Sequence, residues 1–264
     1  MKRVATFLTA ITLSSCQLLT EDFHESFDIF VIAGQSNTNS GKGLNYKIDQ
    51  PDANILQLGR NYPYDYLIIP AKEPLQHHTS NKNQIGFGLT FAKLYNKHTN
   101  PSKKTILIIP CGYGGTSLQK DWTFDGYLYN DMIERIQKTL EKYPGSQLKA
   151  LLWHQGESDV NHPKYDQLLD QFIHQTRKDL KVNLPVIVGG MVPFWVSKSE
   201  TRTIQQNIIK NTPYRVDNVG YADPEIPFVI QKEDNFFDEI HYDAPGQREL
   251  GKRYYTAYKN LIQP

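Results

Sequence analysis

The chain has 264 residues, which is enough for one large domain or two small ones. Apolar residues make up 39% and aromatic residues 12%, so the chain can bury a sizeable core, which argues against a disordered protein. The 29 basic and 28 acidic residues nearly cancel, and no basic run is present, which argues against a nucleic-acid partner.

The amino terminus has the pattern of an export signal. Lys2 and Arg3 precede an apolar stretch over residues 4–13, which is too short to span a membrane and suits a signal peptide. The stretch ends in Leu-Ser-Ser-Cys, which resembles a bacterial lipoprotein box with Cys16 as the lipidated first mature residue. An ordinary secretory signal with an incidental cysteine is the alternative. We therefore predict a signal peptide at 1–15, a tether at 16–26, and attachment to a membrane of the bacterial cell envelope through Cys16.

From residue 27 onward, strand and helix patterns alternate. Strands are predicted at 27–33, 54–59, 104–110, 148–153, 185–191 and 216–222, and helices at 86–98, 128–140, 165–180, 204–209 and from about 243 onward. Continuous apolar strands that alternate with amphipathic helices predict a mostly parallel sheet with helices on both faces. Because no repeat, linker or second core is visible, residues 27–264 are predicted to form one three-layer α/β sandwich domain.

A long irregular stretch over residues 60–83 contains several tyrosines and the pair His77 and His78. Loops of this length are usually functional or disordered, and the aromatic content argues against disorder. We therefore predict that the stretch forms a wall of a binding site. Adjacent histidines rarely converge on one metal ion, so we interpret the pair as exposed.

Groups suited to ester hydrolysis follow the predicted strand ends. Ser36 follows the first strand, Gly115 lies in a glycine-rich turn after another, and Gln155 follows a third, while Asp238 and His241 precede the last helix. Because the carboxyl ends of parallel strands share one edge, the first three are expected to lie close together. Ester hydrolysis needs a nucleophile, a base with an orienting carboxylate, and donors for the oxyanion. By itself, a serine after a strand is more often a helix cap or turn former.

The spacing of these groups limits the choice of family. The order is Ser, Asp, His, and Asp238 and His241 are three residues apart, so that one turn can hold the carboxylate against the imidazole. Thr38 stands where the G-x-S-x-G nucleophile elbow has its second glycine. Both features disfavour an ordinary α/β-hydrolase.

Four blocks in order resemble the SGNH hydrolase superfamily, and most closely its sialate O-acetylesterase-like branch, similar to carbohydrate esterase family 6. The blocks are Gly-Gln-Ser-Asn at 34–37, Gly-Gly-Thr-Ser at 114–117, Trp-His-Gln-Gly-Glu at 153–157 and Asp-x-x-His at 238–241. The resemblance runs from about residue 27 to the end. It implies an SGNH-type, flavodoxin-like fold and a serine esterase that needs no cofactor.

The resemblance also implies residue roles. Ser36 is the nucleophile, His241 the general base and Asp238 its orienting partner. The oxyanion hole consists of the backbone N–H groups of Ser36 and Gly115, with the Gln155 side chain in place of the superfamily's usual asparagine. The supporting residues are Gln35 and Asn37, which would fix the turn, Gly114 beside the oxyanion donor, and Glu157, which would hold Gln155 or the loop or help to orient His241. Thr38 replaces a methionine that is frequent in the family, which leaves packing and substrate fit open.

We therefore predict an esterase that removes O-acetyl groups from a carbohydrate, such as acetyl-xylan, sialic acid or another glycan, through an acetyl-enzyme. Two alternatives stay open: a glycan-binding lipoprotein with little or no catalysis, and an esterase acting on non-sugar esters. No metal is expected, because the side chains at 154, 157, 159 and 162 match no zinc spacing. Cys111 is interpreted as a small buried residue and Ser117 as a turn former, while Trp122 and Trp195 are either core or pocket residues.

Overall fold

The computed structural model describes residues 25–232 and 238–263. The strands are β1 (Phe27–Gly34), β2 (Gly41–Lys42), β3 (Ile55–Leu58), β4 (Ile68–Pro70), β5 (Gln84–Ile85), β6 (Thr105–Pro110), β7 (Gln147–His154), β8 (Val186–Gly189) and β9 (Val219–Ala222). The helices are α1 (Gly88–His98), α2 (Tyr127–Lys142), α3 (Tyr165–Leu180), α4 (Pro193–Val196), α5 (Glu200–Lys210), α6 (Thr212–Arg215) and α7 (Ala244–Ile262). Every strand and helix predicted from the sequence is present, and short 3-10 turns at Ser36–Thr38 and Glu157–Asp159 follow β1 and β7.

Seven strands form one sheet in the order β4-β3-β6-β1-β7-β8-β9. All neighbouring strands run parallel except β4, which is antiparallel to β3. The central strand β1 is buried at every residue, as its continuous apolar run predicts. The sequence did not predict β4 or the separate antiparallel pair β2–β5, because two or three residues are too few to show a strand period.

Helices cover both faces of this sheet. Phe30 of β1 packs edge-on against Phe91 of α1 and Tyr258 of α7. Trp153 of β7 lies in register with Ala33, whose side chain is on the face opposite to Phe30, and it packs against Phe172 of α3. The fold is therefore the predicted three-layer α/β sandwich.

The interpretation of His77 and His78 as exposed is wrong. His77 is 1% exposed, and its Nδ1 accepts a 2.8 Å hydrogen bond from the Gly112 N–H. Burial lowers the pKa of His77 to about 3, so its ring is neutral. The His78 side chain is 8% exposed and lies 3.2 Å from Asp131. The 60–83 segment folds back onto the loop after β6, and no local pattern indicates such a contact.

Cys16 and the predicted signal peptide lie outside the described residues, so the lipoprotein interpretation stays a prediction. Within the described ranges, no helix is long and apolar enough to cross a membrane.

Candidate active site

The loop after β1 is placed by Gly34. This residue has φ of +128°, and a Cβ built on it would lie 2.0 Å from the carbonyl oxygen of His154. Only glycine permits this approach of β1 to β7. The Gln35 N–H then donates to the His154 carbonyl oxygen at 2.9 Å, and the Thr38 hydroxyl donates to the Gln35 carbonyl at 2.7 Å. Ser36 is thereby presented at the carboxyl edge of the central strand, where the strand order reverses and open α/β sheets bind ligands.

Ser36, His241 and Asp238 form a connected chain of hydrogen bonds. The distance from Ser36 Oγ to His241 Nε2 is 2.9 Å, and His241 Nδ1 lies 2.8 Å from Asp238 Oδ1. An ionised carboxylate only accepts, so Nδ1 carries the proton and Nε2 accepts from the serine hydroxyl. The same Asp238 oxygen also accepts the backbone N–H of His241 at 3.3 Å. This geometry can remove a proton from Ser36 as the hydroxyl attacks.

The surroundings keep Asp238 ionised. Partial burial acts to raise the pKa of this carboxyl, but the charge and hydrogen bond of His241 and the charges of Lys232 and Lys42 outweigh it and lower the pKa. The Lys42 ammonium lies 3.5 Å from Asp238 Oδ2, the oxygen that does not face His241. Asp238 can therefore stabilise an imidazolium at His241.

Two backbone donors are available beside Ser36. The N–H groups of Ser36 and Gly115 donate to no other residue in the described part of the chain. The Gly114 N–H, in contrast, donates to Thr79 Oγ1 at 2.8 Å, which holds the turn in place. A methyl group built on Gly114 would lie 3.7 Å from Ser36 Cβ, so the turn lies next to the serine. Ser36 and Gly115 both line the same cleft, so their N–H groups are available to donate to an oxyanion there.

The structure does not place Gln155 as the third oxyanion donor, and this prediction needs correction. Gln155 is 1% exposed, and its amide donates to Asp159 at 2.5 Å and to the Thr116 carbonyl at 3.4 Å. Its Oε1 accepts from the Tyr165 hydroxyl at 3.0 Å. The buried Asp159 carboxylate, four residues further along the chain, accepts a hydrogen bond from the same amide that the resemblance places in the oxyanion hole. Gln155 therefore holds Thr116 and Asp159 in place and does not line the cleft.

Asn37 connects the serine turn to the loop of His241. Its amide donates to the Ile240 carbonyl at 2.9 Å, and its Oδ1 accepts the Tyr242 N–H at 3.0 Å. These two residues flank His241, so one buried side chain holds the backbone on both sides of the imidazole. Sequence reasoning assigned Asn37 only to its own turn, because it could not indicate a contact over 203 residues.

Glu157 holds Asn37 and makes no side-chain hydrogen bond with Gln155. Its Oε1 accepts the Asn37 amide at 2.6 Å, while its Oε2 has no partner among the described residues. Burial raises the pKa of Glu157 to about 7, against the lowering effect of the Asn37 hydrogen bond. Gln35 holds the same loop, since its Oε1 accepts the N–H groups of Gly156 at 3.4 Å and Ser158 at 3.3 Å.

His154 has a structural role beneath the site. The Tyr254 hydroxyl donates to the Trp153 carbonyl at 2.7 Å, so it accepts from His154 Nδ1 at 3.0 Å. Burial lowers the pKa of His154 to about 3, which keeps the ring neutral. Its Nε2 lies 3.8 Å from Glu157 Oε1, beyond hydrogen-bond distance.

Ser36 opens into a cleft of about 880 Å³. Most of the lining residues have polar side chains, and the lining comprises Gln35, Ser36, Asn39, Ser40, Lys42, Thr79, Asn81, Gln84, Gly114, Gly115, Ser158, Trp195, Asp238, Glu239, Ile240 and His241. Thr79 and Asn81 belong to the 60–83 segment, which therefore forms a wall as predicted. Trp195 lines the cleft, whereas Trp122 is buried in the core. Sequence reasoning missed Lys42 and Gln84, which come from the two short strands it did not predict.

The remaining candidates have structural roles. Cys111 is buried, and burial raises its thiol pKa to about 11. Ser117 Oγ accepts the Lys120 N–H at 3.1 Å, as a turn residue does. Thr38 is buried beside Gly112 and does not line the cleft, so its difference from methionine affects packing. Over residues 25–232 and 238–263, no group of three histidine, cysteine or acidic side chains could hold a metal ion.

Known proteins are similar to this chain in sequence and in fold. The family model described as carbohydrate esterase, sialic acid-specific acetylesterase matches residues 26–260. The probable carbohydrate esterase At4g34215 of Arabidopsis thaliana is 30% identical over 252 residues, which cover 87% of this chain and 89% of that protein. The probable 9-O-acetyl-N-acetylneuraminic acid deacetylase of Escherichia coli K12 is 24% identical over 200 residues, covering 58% and 60%.

The crystal structure of NanS has the same fold, with a TM-score of 0.73 at 18% identity over 90% of this chain and 98% of that one. The family match extends over nearly all of the described residues and includes all four sequence blocks. The protein is thus a carboxylic ester hydrolase, and it belongs to the carbohydrate esterase, sialic acid-specific acetylesterase family.

Proposed function

We propose that this protein removes O-acetyl groups from a carbohydrate, with Ser36 as the nucleophile and an acetyl-enzyme as the intermediate. The observation that carries the proposal is the chain of hydrogen bonds from Ser36 through His241 to Asp238, with distances of 2.9 and 2.8 Å, at the polar cleft.

In the first half-reaction, Ser36 Oγ attacks the acetyl carbonyl carbon while His241 Nε2 takes the hydroxyl proton. The negative charge on the carbonyl oxygen is stabilised by the N–H groups of Ser36 and Gly115, and Asp238 stabilises the imidazolium. The bond from the acetyl carbon to the sugar oxygen then breaks, and His241 gives its proton to that oxygen. The sugar leaves with a free hydroxyl.

In the second half-reaction, water attacks the acetyl-serine. His241 removes a proton from the water, the oxyanion forms again at the same two N–H groups, and the bond to Ser36 Oγ breaks. His241 returns the proton to the serine, and acetate leaves. Both halves use the same base and the same donors, so the residues of this chain suffice for the reaction.

The lining of the cleft supports a sugar substrate over the other esters. An esterase for long acyl chains needs an apolar groove, whereas most of the residues that line this cleft carry hydroxyl, amide or charged side chains. The names of the relatives, a carbohydrate esterase and an acetylneuraminic acid deacetylase, favour the same class. A glycan-binding protein without catalysis would have no need for all three of Ser36, Asp238 and His241.

Acetate release tests the reaction, measured from acetylated xylan, sialic acid and peptidoglycan fragments. We expect the wild-type protein to release acetate from at least one of them, and Ser36→Ala to release none. A fluorophosphonate probe is expected to label the wild type and the control Ser102→Ala, but not Ser36→Ala. Full activity of Ser36→Ala would refute the assignment, and an unlabelled wild type would favour the glycan-binding alternative.

We also propose that Cys16 is acylated and attaches the enzyme to a membrane of the bacterial envelope. The support is the sequence pattern of basic residues, a short apolar stretch and a small-residue box before the cysteine. Fractionation of cells that express the full chain tests it. We expect the wild type in the membrane fraction and Cys16→Ala in the soluble fraction; equal distribution of the two would contradict lipidation.

A further inference from the structure

A second cleft meets the cleft of Ser36. It has a volume of about 420 Å³, within the range of about 300–1,000 Å³ typical of small-molecule sites. Gly115 and Ser158 line both clefts, so the two are contiguous at these residues. Gly115 is one of the proposed oxyanion donors, and an acetyl group bound there would lie at the junction of the two clefts.

The walls of the second cleft are held in place by buried hydrogen bonds. Asp159 is 4% exposed and accepts the backbone N–H groups of Leu118 at 2.7 Å and Gln119 at 3.4 Å. The Ser117 N–H donates to Asp121 at 2.7 Å. One wall, residues 117–121, is therefore tied to Asp159 beneath it, and a ligand would not have to order it on binding.

Three polar side chains along these walls have no partner in the described part of the chain. The side-chain amides of Gln119 and Asn161 and the ammonium of Lys120 make no hydrogen bond or ion pair with any other residue in the described ranges, and all three residues line the cleft. Each amide offers two donors and one acceptor, a set that matches the hydroxyl groups of a sugar. Asn161 has φ of +73°, and the His162 N–H donates to the Asp159 carbonyl at 2.9 Å, so the second wall is also positioned by Asp159.

We propose that this second cleft binds a further sugar unit, linked to the sugar that carries the acetyl group. The unit is recognised by its hydroxyl groups, because the lining is polar. Recognition of a charged group is disfavoured, because the charge of Lys120 is balanced by that of Asp121 and the Asp121 carboxylate already accepts the Ser117 N–H. The inference rests on the proposed function and narrows it: the enzyme prefers acetylated oligosaccharides over acetylated monosaccharides.

Matched substrate pairs test the preference. The pairs are O-acetylated xylose with xylobiose, and O-acetylated N-acetylneuraminic acid with sialyllactose. For at least one pair, we expect a higher kcat/KM for the larger substrate. The double variant Gln119→Ala with Asn161→Gly is expected to reduce the ratio of the two kcat/KM values about tenfold. This is the change expected when one or two hydrogen bonds to the sugar are lost. Glycine is chosen at 161 because it adopts positive φ without strain.

The control is Asn218→Gly, the same substitution at another asparagine with positive φ, before β9 at the opposite edge of the sheet. We expect it to keep the wild-type ratio. The proposal is overturned if no pair shows a preference, or if the preference survives the double variant. Calorimetry of Ser36→Ala with the unacetylated sugars separates this proposal from the proposed function: tighter binding of the larger sugar, lost in the double variant, supports the subsite even if no ester is hydrolysed.

Discussion

Replacing Asn37 by alanine removes the side chain that holds the His241 loop without removing any of the reacting groups. Asn37 is fully buried and makes hydrogen bonds to Ile240 at 2.9 Å, Tyr242 at 3.0 Å and Glu157 at 2.6 Å. Alanine abolishes all three bonds and leaves a buried carboxyl group without its partner. We expect the imidazole to lose its fixed position relative to Ser36.

The magnitude follows from these contacts. A buried hydrogen bond contributes about 0.5–1.5 kcal/mol net, and an orphaned partner costs about 1–3 kcal/mol, so the free energy of unfolding should fall by roughly 2–4 kcal/mol. A displacement of about 1 Å in a catalytic group costs about 10²-fold in rate. Because Ser36 and His241 are joined by one 2.9 Å hydrogen bond, kcat should fall by about 10² with little change in KM.

Steady-state hydrolysis of 4-nitrophenyl acetate gives kcat and KM, and urea unfolding gives the stability of each variant. The rate of fluorophosphonate labelling reports on the activation of Ser36 without sugar binding. The matched variants are Glu157→Gln, whose amide oxygen can still accept from Asn37, and Glu157→Leu, which cannot. We expect the first to retain most activity and the second to lose it in parallel with Asn37→Ala. A folded Asn37→Ala protein that is labelled at the wild-type rate would refute the reasoning.

Three further predictions address the carboxylate that orients the base, the glycine at the end of β1 and a buried carboxyl group. Asp238→Asn should lower kcat by about 10⁴, because an amide no longer selects the Nδ1–H tautomer; steady-state kinetics within tenfold of wild type would contradict this. Gly34→Ala should prevent folding or lower the free energy of unfolding in urea by several kcal/mol, because the new Cβ would lie 2.0 Å from the His154 carbonyl oxygen. The control is Gly43→Ala, which is also at positive φ but whose new Cβ meets nothing closer than 3.4 Å. Equal losses of stability in the two variants would contradict the steric argument. Burial raises the pKa of Glu73 from 4.5 to about 8, so this group's contribution to stability is present below pH 4.5 and lost as the pH rises through 8. Glu73→Gln should therefore raise the Tm relative to wild type at pH 9 more than at pH 4; the same difference at both pH values would show that Glu73 does not titrate in this way.

The success of the fold prediction has a local cause. Strands such as β1 and β6 are continuous apolar runs, and helices such as α3 carry an apolar stripe, so the period of the pattern identifies each element. Their alternation then implies a parallel sheet covered on both faces. The strands that were not predicted, β2, β4 and β5, are two or three residues long. They are held by pairing with a partner strand, a contact that no short window of sequence contains.

In the active site, too, some features could be predicted from the sequence and others depend on the tertiary structure. The sequence by itself indicated that Ser36 and Gly115 lie at one edge of the sheet, because both follow strand ends, and that Asp238 can reach His241, because the two are three residues apart. The tertiary structure decided which neighbouring polar groups remain free for a substrate. The amide of Gln155 is bound by the buried Asp159, although their spacing gives no sign of it.

Only the tertiary structure, likewise, shows that Asn37 holds the loop of His241, more than 200 residues away along the chain. The physical reason is that a polar side chain buried in a fold must find partners wherever packing places them. Sequence pattern encodes burial and period, which are local, while the choice of hydrogen-bond partner depends on distances that exist only once the sheet and its helices have packed.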